Sequence, residues 1–234
     1  MSENGNRPIV QVTDVHKVYQ QGEVEVRALD GLTLGVAAGE FMALSGPSGS
    51  GKTTALNLIG ALDAPTSGKI VLEGHDLGSM SRKELSRLRR DRIGFVFQAY
   101  NLLPVLTAYE NAEIVLAVQG VEESERHETV MGLLEAVGLE GLEDRRPAEL
   151  SGGQQQRVAI ARAMAAGPAI ILADEPTANV DSTTAEKLLD MMEDLNREHG
   201  VTFLFSTHDP RVMERACRVV RLVDGRVESD ERRE

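Results

Sequence analysis

The sequence predicts an α/β fold, a sheet core with helices packed on it. Three observations point there. Short apolar runs that read as strands recur along the chain, amphipathic helical patterns lie between them, and a glycine-rich loop at residues 46–53 joins a strand-like run to a helix-like one. The first strand is expected over 9–19, where Ile9, Val10, Val12, Val15 and Val18 recur, and the second over 41–45, an apolar run between glycines. Good helix formers then predict a helix over 54–62. Further strands are expected at 69–72, 93–97, 169–173 and 201–206, the last two continuous apolar runs suited to a sheet interior. Val130, Leu133, Leu134 and Val137 fall at helical spacing, as do Leu188, Leu189, Met192 and Leu195. Near the end, residues 219–223, the Asp224-Gly225 turn and residues 226–228 read as a hairpin. The charged tail, 229–234, is expected to fray.

Composition narrows the function. With 234 residues, 41% hydrophobic and 26% charged, the chain holds enough apolar material for a sizeable core without staples. The single cysteine, Cys217, allows no internal disulfide, fits a reducing cytosol and reads as a core residue. The opening MSENGNRP lacks a basic stretch followed by an apolar one, so no secretory signal is expected. No apolar run approaches the ~20 residues that cross a bilayer, so no direct membrane span is expected either. The net charge of -12 disfavours nucleic acid as a partner, because such binding draws on Lys and Arg to neutralise phosphates.

Residues 46–53 read Gly-Pro-Ser-Gly-Ser-Gly-Lys-Thr: a glycine, four residues, then Gly-Lys-Thr, set between an expected strand and an expected helix. Glycines let successive backbone N–H groups turn inward around phosphates, and the following helix adds the positive end of its dipole. Gly46, Pro47, Ser48, Gly49, Ser50, Gly51, Lys52, Thr53 and Thr54 are therefore the expected ATP-binding residues. Lys52 would neutralise the β and γ phosphates, and Thr53 would offer its hydroxyl to Mg²⁺, the expected cofactor. The apolar run 169–173 ends in Asp174-Glu175, at the strand's carboxyl end where open α/β sheets gather ligands. Asp174 is the expected Mg²⁺ partner, and Glu175 the group that orients the attacking water or takes its proton.

Leu150-Ser-Gly-Gly-Gln-Gln-Gln-Arg157 resembles the signature sequence of the ATP-binding cassette (ABC) ATPases, and its place between the glycine loop and the acids agrees. The resemblance covers nearly the whole chain. It implies a P-loop NTPase of ABC type over 1–234, with a mixed sheet core, an N-terminal antiparallel β portion, a RecA-like core over about 1–97 and 152–234, and a helical signature lobe over about 98–151. It also implies Tyr19 as the aromatic that stacks on adenine, although a tyrosine ending a strand is also ordinary packing. Gln98 at the lobe junction would meet Mg²⁺ or the attacking water, and His208 would donate to the γ phosphate. Ser151, Gly152, Gly153, Gln154 and Asp181 would serve the nucleotide of a second copy, so the chain is expected to work as a homodimer. Val180 departs from the family's commoner Leu before Asp181 and bears only on packing across the seam.

The resemblance further implies an integral-membrane permease as partner and a peripheral location on the cytoplasmic face of the bacterial inner membrane. Residues 26–31, 93–104, 107–111 and the glutamine-rich signature look like the lipoprotein-release and macrolide-export subgroup. An ABC importer subunit shares every catalytic motif and is the alternative; a soluble non-transport ABC ATPase is the second. The leucine- and tyrosine-bearing stretch 98–110 is the expected permease contact. Six of the eleven residues 82–92 are Lys or Arg, which reads as a solvated helix face or as attraction to anionic headgroups.

Overall fold

The computed structural model describes residues 8–22 and 24–233, so the reading of residues 1–7 lies outside the described residues. In chain order the elements are β1 (Val10–Gln21), β2 (Val24–Val36), β3 (Phe41–Ser45), α1 (Lys52–Ile59), β4 (Ser67–Leu72) and β5 (His75–Asp76). Then come α2 (Arg82–Arg92), β6 (Ile93–Val96), α3 (Ala108–Gln119), α4 (Glu123–Ala136), α5 (Gly152–Met164) and β7 (Ile170–Asp174). The chain closes with α6 (Ser182–His199), β8 (Phe203–Ser206), α7 (Pro210–Arg215), β9 (Arg218–Val223) and β10 (Arg226–Arg232).

The strands form two sheets. One is antiparallel, in the order β2-β1-β4-β5, and the other runs β10-β9-β3-β8-β7-β6. In the second sheet β9, β3, β8, β7 and β6 are parallel and only β10 is antiparallel. Strand β3, which feeds the glycine loop, is separated from the acid-bearing β7 by β8 alone, and that order brings loop and acids together.

Alternation along the central strands divides the core in two. Phe41, Phe203 and Phe205 face α3, α5 and α6, with the Phe41 and Phe205 rings 4.6 Å apart. Met42, Leu44, Leu172 and Leu204 face α1 and the antiparallel sheet. Each such large apolar side chain, buried on both layers, contributes about 1.5–3 kcal/mol relative to exposure.

Three expectations change. β2 was not anticipated, because bulges in its pairing with β1 put Leu29 and Leu32 three apart before Leu34 and Val36 restore the period of two. The tail does not fray: residues up to Arg232 pair with β9, and Arg218 reaches Asp230 at 2.6 Å and Glu40 at 3.3 Å, its charge favoured by both acids. Cys217 is exposed rather than in the core, its thiol donating to the carbonyl of Phe41 at 3.2 Å. Of the basic segment, Arg90 pairs with Asp91, Arg92 with Glu73, and Arg89 donates to the carbonyl of Ala61, while Arg82, Lys83 and Arg87 are exposed.

Candidate functional site

The loop between β3 and α1 is shaped by contacts that tolerate no side chain. A Cβ on Gly46, at φ 141°, would stand 2.1 Å from the carbonyl oxygen of Leu222, and one on Gly51, at φ 101°, 2.4 Å from that of Ala28. Both glycines are therefore required by the neighbouring strands as well as by the turn. Lys52 folds back over the loop, its Nζ donating to the carbonyls of Gly46 at 2.8 Å and Pro47 at 3.0 Å. Thr53, one residue into α1, places its Oγ1 3.1 Å from each carboxylate oxygen of Asp174 at the end of β7.

Glu175 follows immediately, with φ 47°, a left-handed conformation that costs a non-glycine residue about 1–3 kcal/mol. That turn swings its carboxylate to His208, whose Nδ1 lies 2.6 Å from Oε1, and to Thr207, whose hydroxyl donates to Oε2 at 3.2 Å. Behind it Asp209 accepts from Thr177 at 2.8 Å and pairs with Arg211 at 2.6 Å. The Arg211 guanidinium is the main reason the Asp209 carboxyl is lowered to about 2, with Thr177 adding to it. Neither Thr207 nor Asp209 was expected from the sequence, although the run Ser206-Thr-His-Asp209 after an apolar strand carries the signal.

Pro47, Ser48, Gly49, Gly51, Lys52, Thr53, Thr54, Gln98, Glu175 and His208 line one cleft of about 620 Å³, joined by Val26, Arg27 and Ala28 of the unanticipated β2. Gly46 and buried Ser50 stand behind the loop. Tyr19, on β1, is half-buried beside the cleft rather than in its wall: its hydroxyl donates to Asp63 at 2.9 Å and Lys17 Nζ sits 4.7 Å from its ring centre. Burial, with the Asp63 carboxylate, raises its phenol above the ordinary value.

The remaining expected residues lie outside that cleft. Ser151 is the N-cap of α5, its hydroxyl accepting from the amide of Gln154 while Gln154 accepts from the amide of Ser151 at 2.9 Å. The capping box thus occupies Oε1 of the Gln154 side chain. A Cβ on Gly153 would stand 2.2 Å from Cγ2 of Thr184, so this helix start abuts the start of α6. Asp181 caps α6 in turn, accepting from the Thr184 amide at 3.0 Å and its hydroxyl at 2.6 Å. Asn179 ties this group to the Gln98 loop: its amide donates to the carbonyl of Gln98 at 2.8 Å, and its own carbonyl accepts from Tyr100 at 3.0 Å. The first N–H groups of α5 have no partner within the helix, which makes its N-terminus a second anion-attracting spot besides that of α1.

The family match, the curated relatives and the solved structures all agree with this arrangement. Residues 29–178 match the family model described as ABC transporter. The chain is 48% identical to the lipoprotein-releasing system ATP-binding protein LolD of Anaeromyxobacter dehalogenans, covering 98% of this chain and 97% of that protein. It is 47% identical to an uncharacterized ABC transporter ATP-binding protein of Thermotoga maritima, covering 97% of each. The macrolide export ATP-binding/permease protein MacB of Marinobacter nauticus is 46% identical across 96% of this chain, which spans 35% of its length. Among solved structures, the ATP-binding cassette MJ0796, dimeric and bound to ADP and Pi after hydrolysis, superposes with a TM-score of 0.88 at 44% identity, covering 95% of this chain and 98% of that one. From the phosphate loop, the acid pair, the capped signature helix and these relatives together, the chain belongs to the ABC transporter family, as an ATP-binding ATPase cassette.

Proposed function

We propose that this chain is the ATP-hydrolysing motor of a bacterial ABC transporter, in which two copies close around two ATP and drive a separate integral-membrane permease. The observation that carries it is a division of labour between two groups of residues. Lys52, Thr53, Gln98, Glu175 and His208 share a cleft, whereas Ser151, Gly152, Gly153 and Asp181 gather at two helix starts outside it. A nucleotide in the cleft would meet the first set in its own chain and the second set from a facing copy.

In this reading the amides of residues 48–53 cradle the phosphates, Lys52 neutralises the β and γ groups, and Tyr19 packs on the adenine. Glu175 orients the attacking water and accepts its proton, while His208 donates to the γ phosphate. The oxygen donors Thr53, Asp174 and Gln98 suit Mg²⁺, a hard cation that keeps several waters and takes one or two protein ligands beside the phosphates. Among the described residues no three His, Cys, Asp or Glu side chains converge, which fits an ion held that way rather than in an all-protein cage. Mg²⁺ supplies charge neutralisation on the phosphates.

Dimeric MJ0796 supports the homodimer, and the match along the whole of LolD supports lipoprotein release, with MacB-type export as its sibling. Among the described residues no helix is long and apolar enough to cross a membrane, so a permease at the cytoplasmic face of the inner membrane would be a different segment or chain. Within the expected permease contact, residues 98–110, Leu103 and Val105 are exposed and available to such a partner. Leu102 packs on the core and Tyr100 on Asn179, whereas an apolar groove of about 440 Å³ opens between Phe95, Phe97 and the Ile114, Val115 and Val118 side of α3.

Size-exclusion chromatography with light scattering on Glu175→Gln tests the central claim. ATP with Mg²⁺ should give a dimer and ADP a monomer; a monomer under both conditions sinks the proposal.

A further inference from the structure

Ser206, the last residue of β8, is wholly buried, and its Oγ has no hydrogen-bond partner among the described residues. Its backbone is already employed, the carbonyl accepting from the amide of Glu175 at 2.9 Å. Its side chain belongs to the face that carries α1: Phe203 and Phe205 point to the opposite layer, while Leu204, two residues earlier, joins Leu44 and Leu172 on this one. In the parallel register Ser206 stands beside Asp174 on one side and Leu44 on the other. On that same face Asp174 meets Thr53, and Ser206 lines the cleft with Lys52, Thr53 and Glu175.

A buried hydroxyl without a partner costs stability, whereas an alanine or valine here would simply extend the apolar face of Leu44 and Leu204. The hydroxyl therefore makes sense as a group that pairs when the cleft is filled. Its neighbours narrow the partner to an oxygen near Thr53 and Asp174, the two residues suited to Mg²⁺. A water bound to a hard cation is a strong donor, and a serine hydroxyl can accept from it while donating to an adjacent carboxylate.

We propose that Ser206 is a positioning residue: with Asp174 it holds a water of the Mg²⁺ shell, fixing the ion against the phosphates. This rests on the Mg²⁺–ATP reading of the cleft. The residue acts on the ion only through that water, as outer-shell partners do.

Mn²⁺ titration of the protein with a non-hydrolysable ATP analogue, followed by electron paramagnetic resonance, tests it. A parallel titration of the analogue in EDTA reads nucleotide binding without metal. Ser206→Ala is expected to weaken Mn²⁺ binding about tenfold, leave metal-free nucleotide binding unchanged, and keep or raise the melting temperature. Ser206→Thr, which keeps the hydroxyl, should restore most of the metal affinity. Wild-type Mn²⁺ affinity in Ser206→Ala overturns the proposal. So does an equal loss of metal and metal-free nucleotide binding with a lower melting temperature, which assigns Ser206 to the fold. Wild-type protein that binds neither nucleotide nor Mn²⁺ would instead overturn the ATPase reading beneath it.

Discussion

His208 Nδ1 lies 2.6 Å from Oε1 of Glu175, a contact that engages Nδ1 and leaves Nε2 as the ring nitrogen available to a ligand. The carboxylate is thereby held from two sides, since Thr207 donates to its other oxygen. A carboxylate so oriented can direct a water and take its proton without first searching for a rotamer. Glu175→Gln should lower the hydrolysis rate about 10²–10⁴-fold while retaining ATP binding. His208→Ala should lower it as well, and the double variant should fall little below the worse single one, because the two groups act as a unit. Single-turnover phosphate release on the four proteins measures this; independent, multiplying losses would separate the pair.

Asp209 ties Thr207, Thr177 and Arg211 together behind Glu175. Its folded carboxyl is lowered to about 2 from an ordinary 3.8, so its contribution to stability is present above pH 4 and fades as pH falls toward 2. A shift of that size corresponds to about 2 kcal/mol at neutral pH. Asp209→Asn should therefore lose about that much stability at pH 7, and the gap to wild type should narrow as the medium is acidified below pH 4. Urea unfolding of both proteins at pH 7, 4 and 3 reads the trend; a gap that widens in acid contradicts it.

The phosphate loop and acid pair were legible because their constraints are local: residues 46–53 are consecutive, and Asp174-Glu175 directly ends its strand. What surrounds them was not. Thr207 and Asp209 acquire meaning only when β8 is laid beside β7, a neighbour relation that no spacing in the chain encodes. β2 was hidden by bulges that break the period of two, and the continuation of β10 beyond the expected 226–228 by charges that look like a solvated tail until Arg218 is found paired with Asp230. The Ser151-Gly-Gly-Gln154 capping box was readable from its spacing alone, yet its consequence, a glutamine whose Oε1 is engaged by the helix start, needed the structure.

Tyr19 presents a ring with Lys17 at one face and a hydroxyl spent on Asp63. If adenine packs on the ring, the phenol oxygen matters little to the nucleotide. Tyr19→Phe should bind ATP as wild type does, while Tyr19→Ala should bind about three- to tenfold more weakly, the range of one aromatic stacking contact. Fluorescent-nucleotide titration decides. Equal weakening in both variants would shift the role from the ring to the Asp63 hydrogen bond.

The separation of Ser151 and Asp181 from the cleft leads to a prediction about mixtures. A chain with Lys52→Ala should be inactive through its own phosphate loop, and a chain with Ser151→Arg should be inactive because a bulky cation blocks the start of α5 facing a partner's phosphate. In a dimer containing one of each, the Lys52→Ala loop faces the Ser151→Arg helix, so both defects fall in one site. The other site combines an intact loop with an intact helix start. Random pairing makes half the dimers mixed, each with one working site, so an equimolar mixture should recover about a quarter of wild-type hydrolysis. Both defects placed in the same chain should recover less than the mixture of singles, because wild-type partners are then absent from every site. Steady-state ATPase assays across mixing ratios measure the recovery. Its absence, with both variants shown to enter dimers, would mean that the signature helix serves the nucleotide of its own chain.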